Sequence, residues 1–204
     1  MFMIEIRNLT KKYGEHIIFE QFQLTIEDGD FVVFAGKSGC GKTTLLNMIG
    51  AIEKFDSGEI IVNHQTFSKR KEQMEYFRNV VGFLFQNFAL VDNKTVKQNL
   101  EMIKSKYRTE YSVEDVLEQV GLSDKLNEKV YKLSGGEQQR VALARLMLKK
   151  CDIILADEPT GSLDSENASI VIEILQKMNK QGKTIVMVTH DTTLYHVGNR
   201  LITL

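Results

Sequence analysis

Apolar and polar positions change rhythm along the chain, and each rhythm predicts a kind of element. Ile4, Ile6 and Leu9 are inward candidates of an alternating opening stretch, and a second run from Ile17 to Ile26 alternates through Phe22, Leu24 and Ile26. A period of two is the signature of half-buried strands, so these read as antiparallel strands. Phe31-Val32-Val33-Phe34-Ala35 is apolar without a break and reads as a strand buried on both faces, and Leu45 to Ile49 open a helix behind it. Asp56-Ser57-Gly58 reads as a turn before a short strand over 59–62. Lys69 to Arg78 reads as a short helix with Met74 and Phe77 on one side, feeding an apolar strand from Val80 to Phe85. From about Phe88 to Lys150 the period turns helical, with Val96, Leu100 and Ile103, then Val113, Val116, Leu117 and Val120. Ser112 with Asp115 forms a helix start and Gly121 a stop. Ile153 to Ala156 is again a buried strand. A long amphipathic helix follows, with Ala168, Val171, Ile172, Leu175 and Met178 in one stripe and Gly182 at its end, and then the strand Thr184 to Thr189. Strands alternating with helices predict an α/β fold in one domain over 1–204, with a sheet core from about 1–87 and 151–204 and a helical insertion at about 88–150.

The junction of the first buried strand with its helix carries the strongest chemistry. Gly36-Lys37-Ser38-Gly39-Cys40-Gly41-Lys42-Thr43-Thr44 has the spacing of a phosphate loop in the strand-to-helix context that the motif requires. Glycines at 36, 39 and 41 let backbone N–H groups turn inward, and the helix N-terminus adds partial positive charge. Lys42 supplies a full charge for the outer phosphates, and the Thr43 hydroxyl is the expected Mg²⁺ ligand. A glycine turn with a chance lysine is the bland alternative, and it does not explain the context.

Three further polar residues end buried strands: Gln86, Asp157 with Glu158, and His190. Parallel sheets present their ligand-contacting residues there. Asp157 is placed to hold Mg²⁺ through water, and Glu158 to orient or deprotonate an attacking water. Leu133-Ser134-Gly135-Gly136-Glu137-Gln138-Gln139-Arg140 opens another helix, whose glycines and serine make a second anion site in the same chain. Tyr13, in Lys12-Tyr13-Gly14, sits where a ring can be displayed for stacking, although core packing is the expectation from the residues alone.

Composition narrows the partners. A formal net charge of −1, from 26 basic and 27 acidic residues, gives no global field for nucleic acid, and none is expected as a partner. The clusters Lys69-Arg70-Lys71 and Lys104 to Arg108 read as solvated faces. Two cysteines, Cys40 and Cys151, are too few for a disulfide frame, which fits a reducing compartment. The start lacks the pattern of an export signal, and the apolar runs are far short of the roughly 20 residues that cross a bilayer. The expected location is cytoplasmic, with any membrane role exercised through a partner chain.

Taken together, Gly36 to Thr44, Ile153 to Glu158 and above all Leu133 to Arg140 resemble the ATP-binding cassette ATPases over essentially the whole chain. The resemblance implies a RecA-like phosphate-loop core with an N-terminal antiparallel β subdomain and a helical signature subdomain. It implies that two copies sandwich two ATP molecules, each phosphate loop facing Ser134, Gly135, Gly136 and Glu137 of the opposite copy. By the same resemblance Tyr13 stacks on adenine, Gln86 contacts Mg²⁺ and the lytic water, Glu158 is the catalytic base and His190 touches the γ-phosphate. Ser162-Leu163-Asp164 resembles the loop that links the two sites. The stretches Phe83 to Leu90 and Leu155 to Asp164 are similar to the MacB and LolD group, and within it to ATPases of lactococcin-type bacteriocin export, which work with a separate membrane permease. An FtsE-like cassette, coupled to a membrane protein without transport, is the alternative. An Asn-Lys-x-Asp base reader, as a GTPase would need, is lacking at Asn93-Lys94-Thr95-Val96.

Overall fold

The computed structural model describes residues 2–67 and 69–204. Its elements are β1 (Phe2–Tyr13), β2 (His16–Glu27), β3 (Phe31–Ala35), α1 (Lys42–Ile49), β4 (Ser57–Val62), α2 (Arg70–Asn79), β5 (Val81–Leu84), α3 (Val96–Leu100), α4 (Val113–Gln119), α5 (Gly135–Leu148), β6 (Ile153–Asp157), α6 (Ser165–Lys180), β7 (Thr184–Val188) and β8 (Arg200–Thr203).

Two sheets organise them. β2, β1 and β4 form an antiparallel sheet in that order, while β5, β6, β7, β3 and β8 form a second sheet. All neighbours in the second sheet run parallel. Both faces are covered over β3, β5, β6 and β7, so those strands are apolar at nearly every position. Phe31, Val33, Ile154, Ala156, Ile185 and Met187 pack into a core shared with α3 to α6. Val32, Phe34, Ile153, Leu155, Val186 and Val188 point the other way, into a core shared with β1, β4, α1 and α2. Alternation along a strand thus serves two cores rather than a core and solvent.

Between α2 and β6 the regular elements other than β5 are helical. α3 and α4 are short, and turns of 3₁₀ helix lie between α3, α4 and the longer α5. Local capping explains where they begin. The Ser112 hydroxyl accepts from the Asp115 N–H at 3.0 Å while the Asp115 carboxylate accepts from the Ser112 N–H at 2.8 Å. Gly121, at φ +67°, ends that segment as its residue type predicts.

The structure corrects three details of the sequence reading. β4 starts at Ser57, so Gly58 lies in the strand, at φ +96° opposite the β1 irregularity between Arg7 and Thr10. A Cβ on Gly58 would come within 2.5 Å of the Asn8 carbonyl oxygen, so the glycine answers to strand approach rather than to a turn. Met74 is exposed and the buried face of α2 is carried by Tyr76, whose hydroxyl donates to the Ile49 carbonyl at 2.9 Å. β8 at the chain's end carries no clear periodic signal, and it completes the sheet beside β3.

Candidate functional site: strand ends around the phosphate loop

Register decides what meets at the carboxyl edge of the parallel sheet. Phe34 pairs with Val188, Asp157 with Val188 and Leu84 with Ala156, so the residues that follow these strands emerge at one level. A cavity of about 460 Å³ opens there, lined by Tyr13, Ile18, Ser38, Gly39, Gly41, Lys42, Thr43, Thr44, Gln86, Glu158 and His190. A separate cavity of about 500 Å³, walled by Ile52, Phe55 and Phe67 among others, contains none of the motif residues.

The phosphate loop has a fixed shape. Gly41 is the N-cap of α1 at φ +96°, and no side chain caps the helix. A Cβ there would lie 2.5 Å from Ile18 Cγ2, so only glycine lets β2 close over the loop. The first N–H groups of α1 are therefore donors for an incoming ligand. Lys42 is 7% exposed, and its ammonium donates to the carbonyls of Gly36 and Lys37, each at 2.8 Å. Cys40 Sγ lies 3.7 Å from the same nitrogen.

Thr43, which lines the cavity, donates its hydroxyl to the carboxylate of Asp157, which does not, at 2.9 Å. Burial raises the affinity of Asp157 for its proton and neighbouring Glu158 adds to the rise, while the Thr43 hydroxyl and Lys42 oppose it; the net shift is upward. A hydroxyl, a carboxylate and the Gln86 amide are hard oxygen donors. They fit Mg²⁺, which keeps several waters and takes few protein ligands. Among the described residues no three His, Cys, Asp or Glu side chains gather as a soft-metal site would require.

Glu158 is held in an unusual backbone conformation, φ +45°, immediately after β6. A non-glycine residue there costs on the order of 1 kcal/mol or more and persists only where surroundings impose it. Its N–H donates to the Val188 carbonyl at 3.0 Å, and its carbonyl accepts from the Gly161 N–H at 3.2 Å. The twist brings carboxylate oxygen Oε1 to 2.8 Å from His190 Nδ1, while Oε2 is buried without a partner. Half of this carboxylate is thus anchored and half is an unused acceptor.

Tyr13 is 50% exposed at the end of β1 and lines the cavity, which overturns core packing for it. Tyr13 pairs with His16 at the last rung of the hairpin, and the chain turns directly after it at Gly14, φ +60°.

Ser134, Gly135, Gly136, Glu137 and Asp164 do not line this cavity. Ser134 caps α5, accepting from the Glu137 N–H at 3.2 Å, while its own N–H donates to the Glu137 carboxylate at 2.8 Å. The Ser134 hydroxyl proton remains available as a donor. A Cβ on Gly135 would meet only Phe88, at 3.8 Å, whereas one on Gly136 would strike the Asn167 amide at 2.5 Å. Asp164 caps α6, its carboxylate accepting from the Asn167 N–H and side-chain amide at 2.8 and 2.7 Å.

Several supporting contacts gave no sequence signal, although Gln139 and Arg140 belong to the Leu133 to Arg140 stretch. Gln139 donates its amide to the Pro159 carbonyl at 2.7 Å, beside Glu158. Arg145 donates to the carbonyls of Ala89 and Phe88, at 2.6 and 3.0 Å, fixing two residues of positive φ just after Gln86. Arg140 hydrogen-bonds the Asn167 side chain. Polar residues along a predicted helix could have been singled out, but their partners are remote in sequence.

A phosphate loop and a serine-glycine helix start on one chain agree with what comparison finds. The family model of the ABC transporter matches residues 19–161. The chain belongs to the ABC transporter ATP-binding family. It is 39% identical over 207 residues to the macrolide export ATP-binding/permease protein MacB of Campylobacter jejuni, an alignment that takes 98% of this chain and 32% of MacB. The chain thus spans about a third of that relative's length. It is 40% identical over 216 residues to the uncharacterised ABC transporter ATP-binding protein MJ0796 of Methanocaldococcus jannaschii, covering 98% of this chain and 92% of MJ0796. The dimeric structure of a post-hydrolysis state of MJ0796, bound to ADP and Pi, superposes with a TM-score of 0.88 at 38% identity, over 99% of this chain and 94% of that one. The cassette described here is therefore an ABC ATPase with relatives named MacB and MJ0796.

Proposed function

We propose that this cassette binds ATP with its phosphate chain on the Gly36 to Thr44 loop, hydrolyses it in a dimer of two copies, and powers export through a separately encoded membrane permease. The observation that carries the reading is the single cavity on which Lys42, Thr43, Gln86, Glu158 and His190 converge. In it the base stacks on Tyr13, the N–H groups around Gly39 and Gly41 and the Lys42 ammonium hold the outer phosphates, and His190 reaches the γ-phosphate. Thr43, Asp157 and Gln86 would hold Mg²⁺, which would offset phosphate charge.

Glu158 is the general base. Its carboxylate accepts a proton of the attacking water while His190 anchors it through Oε1, so the group is aimed before substrate arrives. Water attacks the γ-phosphorus, ADP leaves, and Lys42 with the α1 N-terminus offsets the charge of the transition state. Ser134 to Glu137 of the second copy close the site with the Ser134 hydroxyl and the open flank at Gly135. The dimeric structure of MJ0796 bound to ADP and Pi supports a pairing of two copies.

The cargo class proposed is a peptide of the bacteriocin kind or a related amphiphile, on the resemblance of Phe83 to Leu90 and Leu155 to Asp164 to such export ATPases. MacB relatives that carry a permease in the same chain support a membrane partner. Among the described residues no helix is long and apolar enough to cross a membrane, so the cassette would sit on the inner membrane face through that partner.

Glu158→Gln tests the site: hydrolysis is expected to fall by about 10²- to 10⁴-fold while ATP binding survives and an ATP-bound dimer accumulates on size exclusion. Unchanged turnover would sink the assignment. Affinity capture tests the partner: a polytopic permease and peptide transport in vesicles support export, whereas a membrane protein that moves nothing favours the FtsE-like reading.

A further inference from the structure

Tyr13 does not stand alone at the mouth of the cavity. Its hydroxyl donates to the Glu53 carboxylate, and the Lys11 ammonium lies 2.9 Å from the same carboxylate oxygen and 4.4 Å from the centre of the Tyr13 ring. Lys11 also donates to the Lys54 carbonyl at 2.8 Å. Residues 11 and 13 lie on one face of β1, so lysine and ring are neighbours by strand geometry. Lys11 is 8% exposed although charged, and the ring is 50% exposed. One face of the ring is covered by the ammonium, and the opposite face is left for a base.

Glu53 belongs to the segment that leaves α1. Its N–H and that of Ile52 donate to the Asn47 carbonyl, at 3.2 and 2.9 Å, so the backbone of Glu53 is fastened to the helix whose N-terminus is the phosphate loop. Burial alone would push the Glu53 carboxyl up, yet the Tyr13 hydroxyl and Lys11 outweigh it and hold the group below its ordinary range. It is a stable anion where it sits.

We infer that Glu53 and Lys11 are positioning residues that fix the Tyr13 ring to the phosphate-loop helix, and so set the distance between the base platform and the phosphate site. The inference rests on the reading that Tyr13 carries the base. A ring at the end of a hairpin, joined to β2 through Gly14 and Glu15, otherwise samples several rotamers; the tether removes that freedom before nucleotide binds.

Calorimetric titration of the full chain with ATP and, separately, with inorganic tripolyphosphate tests this. Tyr13→Phe keeps the ring and removes the tether, and Glu53→Ala removes the anchor. Each is expected to weaken ATP binding by about three- to tenfold, as loss of one charge-assisted hydrogen bond implies, and to leave tripolyphosphate binding unchanged. The double variant Tyr13→Phe/Glu53→Ala should be no weaker than Glu53→Ala alone, because the tether that Tyr13→Phe removes is already lost without the Glu53 carboxylate. Glu53→Gln, which keeps an acceptor for the phenol, should recover part of the loss. Tyr13→Ala should cost more, about ten- to a hundredfold, because the stacking surface itself is gone. If Tyr13→Ala weakens ATP while Tyr13→Phe and Glu53→Ala do not, the positioning role is overturned. Equal losses for ATP and tripolyphosphate overturn it too, since they mean general damage to the loop. If Tyr13→Ala is without effect, the stacking reading itself fails instead. Should Glu53→Ala not fold, Tyr13→Phe, at a half-exposed ring, decides alone.

Discussion

Two helix starts of this chain carry glycine and a hydroxyl, and they are finished in opposite ways. α1 begins at Gly41 with no side-chain cap, and its charged neighbour Lys42 is folded onto loop carbonyls. α5 begins at Ser134 with both halves of a capping box in place, and the Glu137 carboxylate also pairs with Lys125 at 3.8 Å. The first end leaves all its first-turn N–H donors to a ligand, while the second satisfies the Ser134 and Glu137 N–H groups itself and offers the Gly135 and Gly136 N–H groups, a hydroxyl proton and a bare glycine flank. An uncapped end is completed by what binds to it; a capped one is a finished surface that closes over something held elsewhere. On the function proposed above, α1 would be the receiving half of a nucleotide site and α5 the covering half.

The sharpest way to break the contrast is to disable one half in each of two chains. Lys42→Ala and Gly135→Asp should each abolish hydrolysis, by about 10²-fold or more, since the first removes a phosphate cation and the second sets a carboxylate where phosphate charge must approach. Mixed, the two proteins should regain activity in steady-state phosphate release, because the intact loop of one meets the intact signature of the other. A mixture as inactive as its components would place both helix ends in one chain's site.

A smaller effect separates the two signature glycines. Gly136→Ala drives a Cβ to 2.5 Å from the Asn167 amide, and overpacking of that kind costs about 1–3 kcal/mol in chemical unfolding. Gly135→Ala meets only ordinary contact at 3.8 Å, and its unfolding free energy should stay within about 0.5 kcal/mol of the parent. Its cost should instead appear in hydrolysis. Equal folding losses at the two positions would remove the distinction between a flank packed within the chain and a flank left open.

The smallest expected effect comes from the far end of β3 and calibrates the others, because it touches folding alone. Burial by itself would raise the Asp30 pKa, but hydrogen bonds from Arg200 at 2.7 Å, Asn199 at 2.9 Å and the Glu27 N–H at 2.9 Å outweigh it and lower it. A carboxylate with a lowered folded pKa stabilises the protein fully above the unfolded value of about 4, and the gain disappears as pH falls through the folded value. The melting temperature of Asp30→Asn should therefore trail the parent at neutral pH and converge with it below about pH 4, with ATP affinity per folded molecule unaltered. A gap that widens on acidification would contradict the assigned partners.

The sequence by itself determined what lies within one turn or one strand. The phosphate loop, the Ser112 and Ser134 caps and the apolar strands ending on Gln86, Glu158 and His190 follow from interactions between residues no more than a few positions apart. Tertiary structure decided the rest. It put Tyr76 rather than Met74 inside, because burial depends on which surface packs against α2, and amphipathicity read from Met74 and Phe77 did not include that surface. It recruited β8, whose short run gains its meaning only beside β3. It exposed Tyr13 and tied it to Glu53, 40 residues away in the chain. It also set Asn167 against Gly136 and Gln139 against Pro159, pairings that no local period announces. Local hydrogen bonds are fixed by neighbours in sequence, whereas the reach of a side chain across the fold exists only once the sheet has brought its partner near.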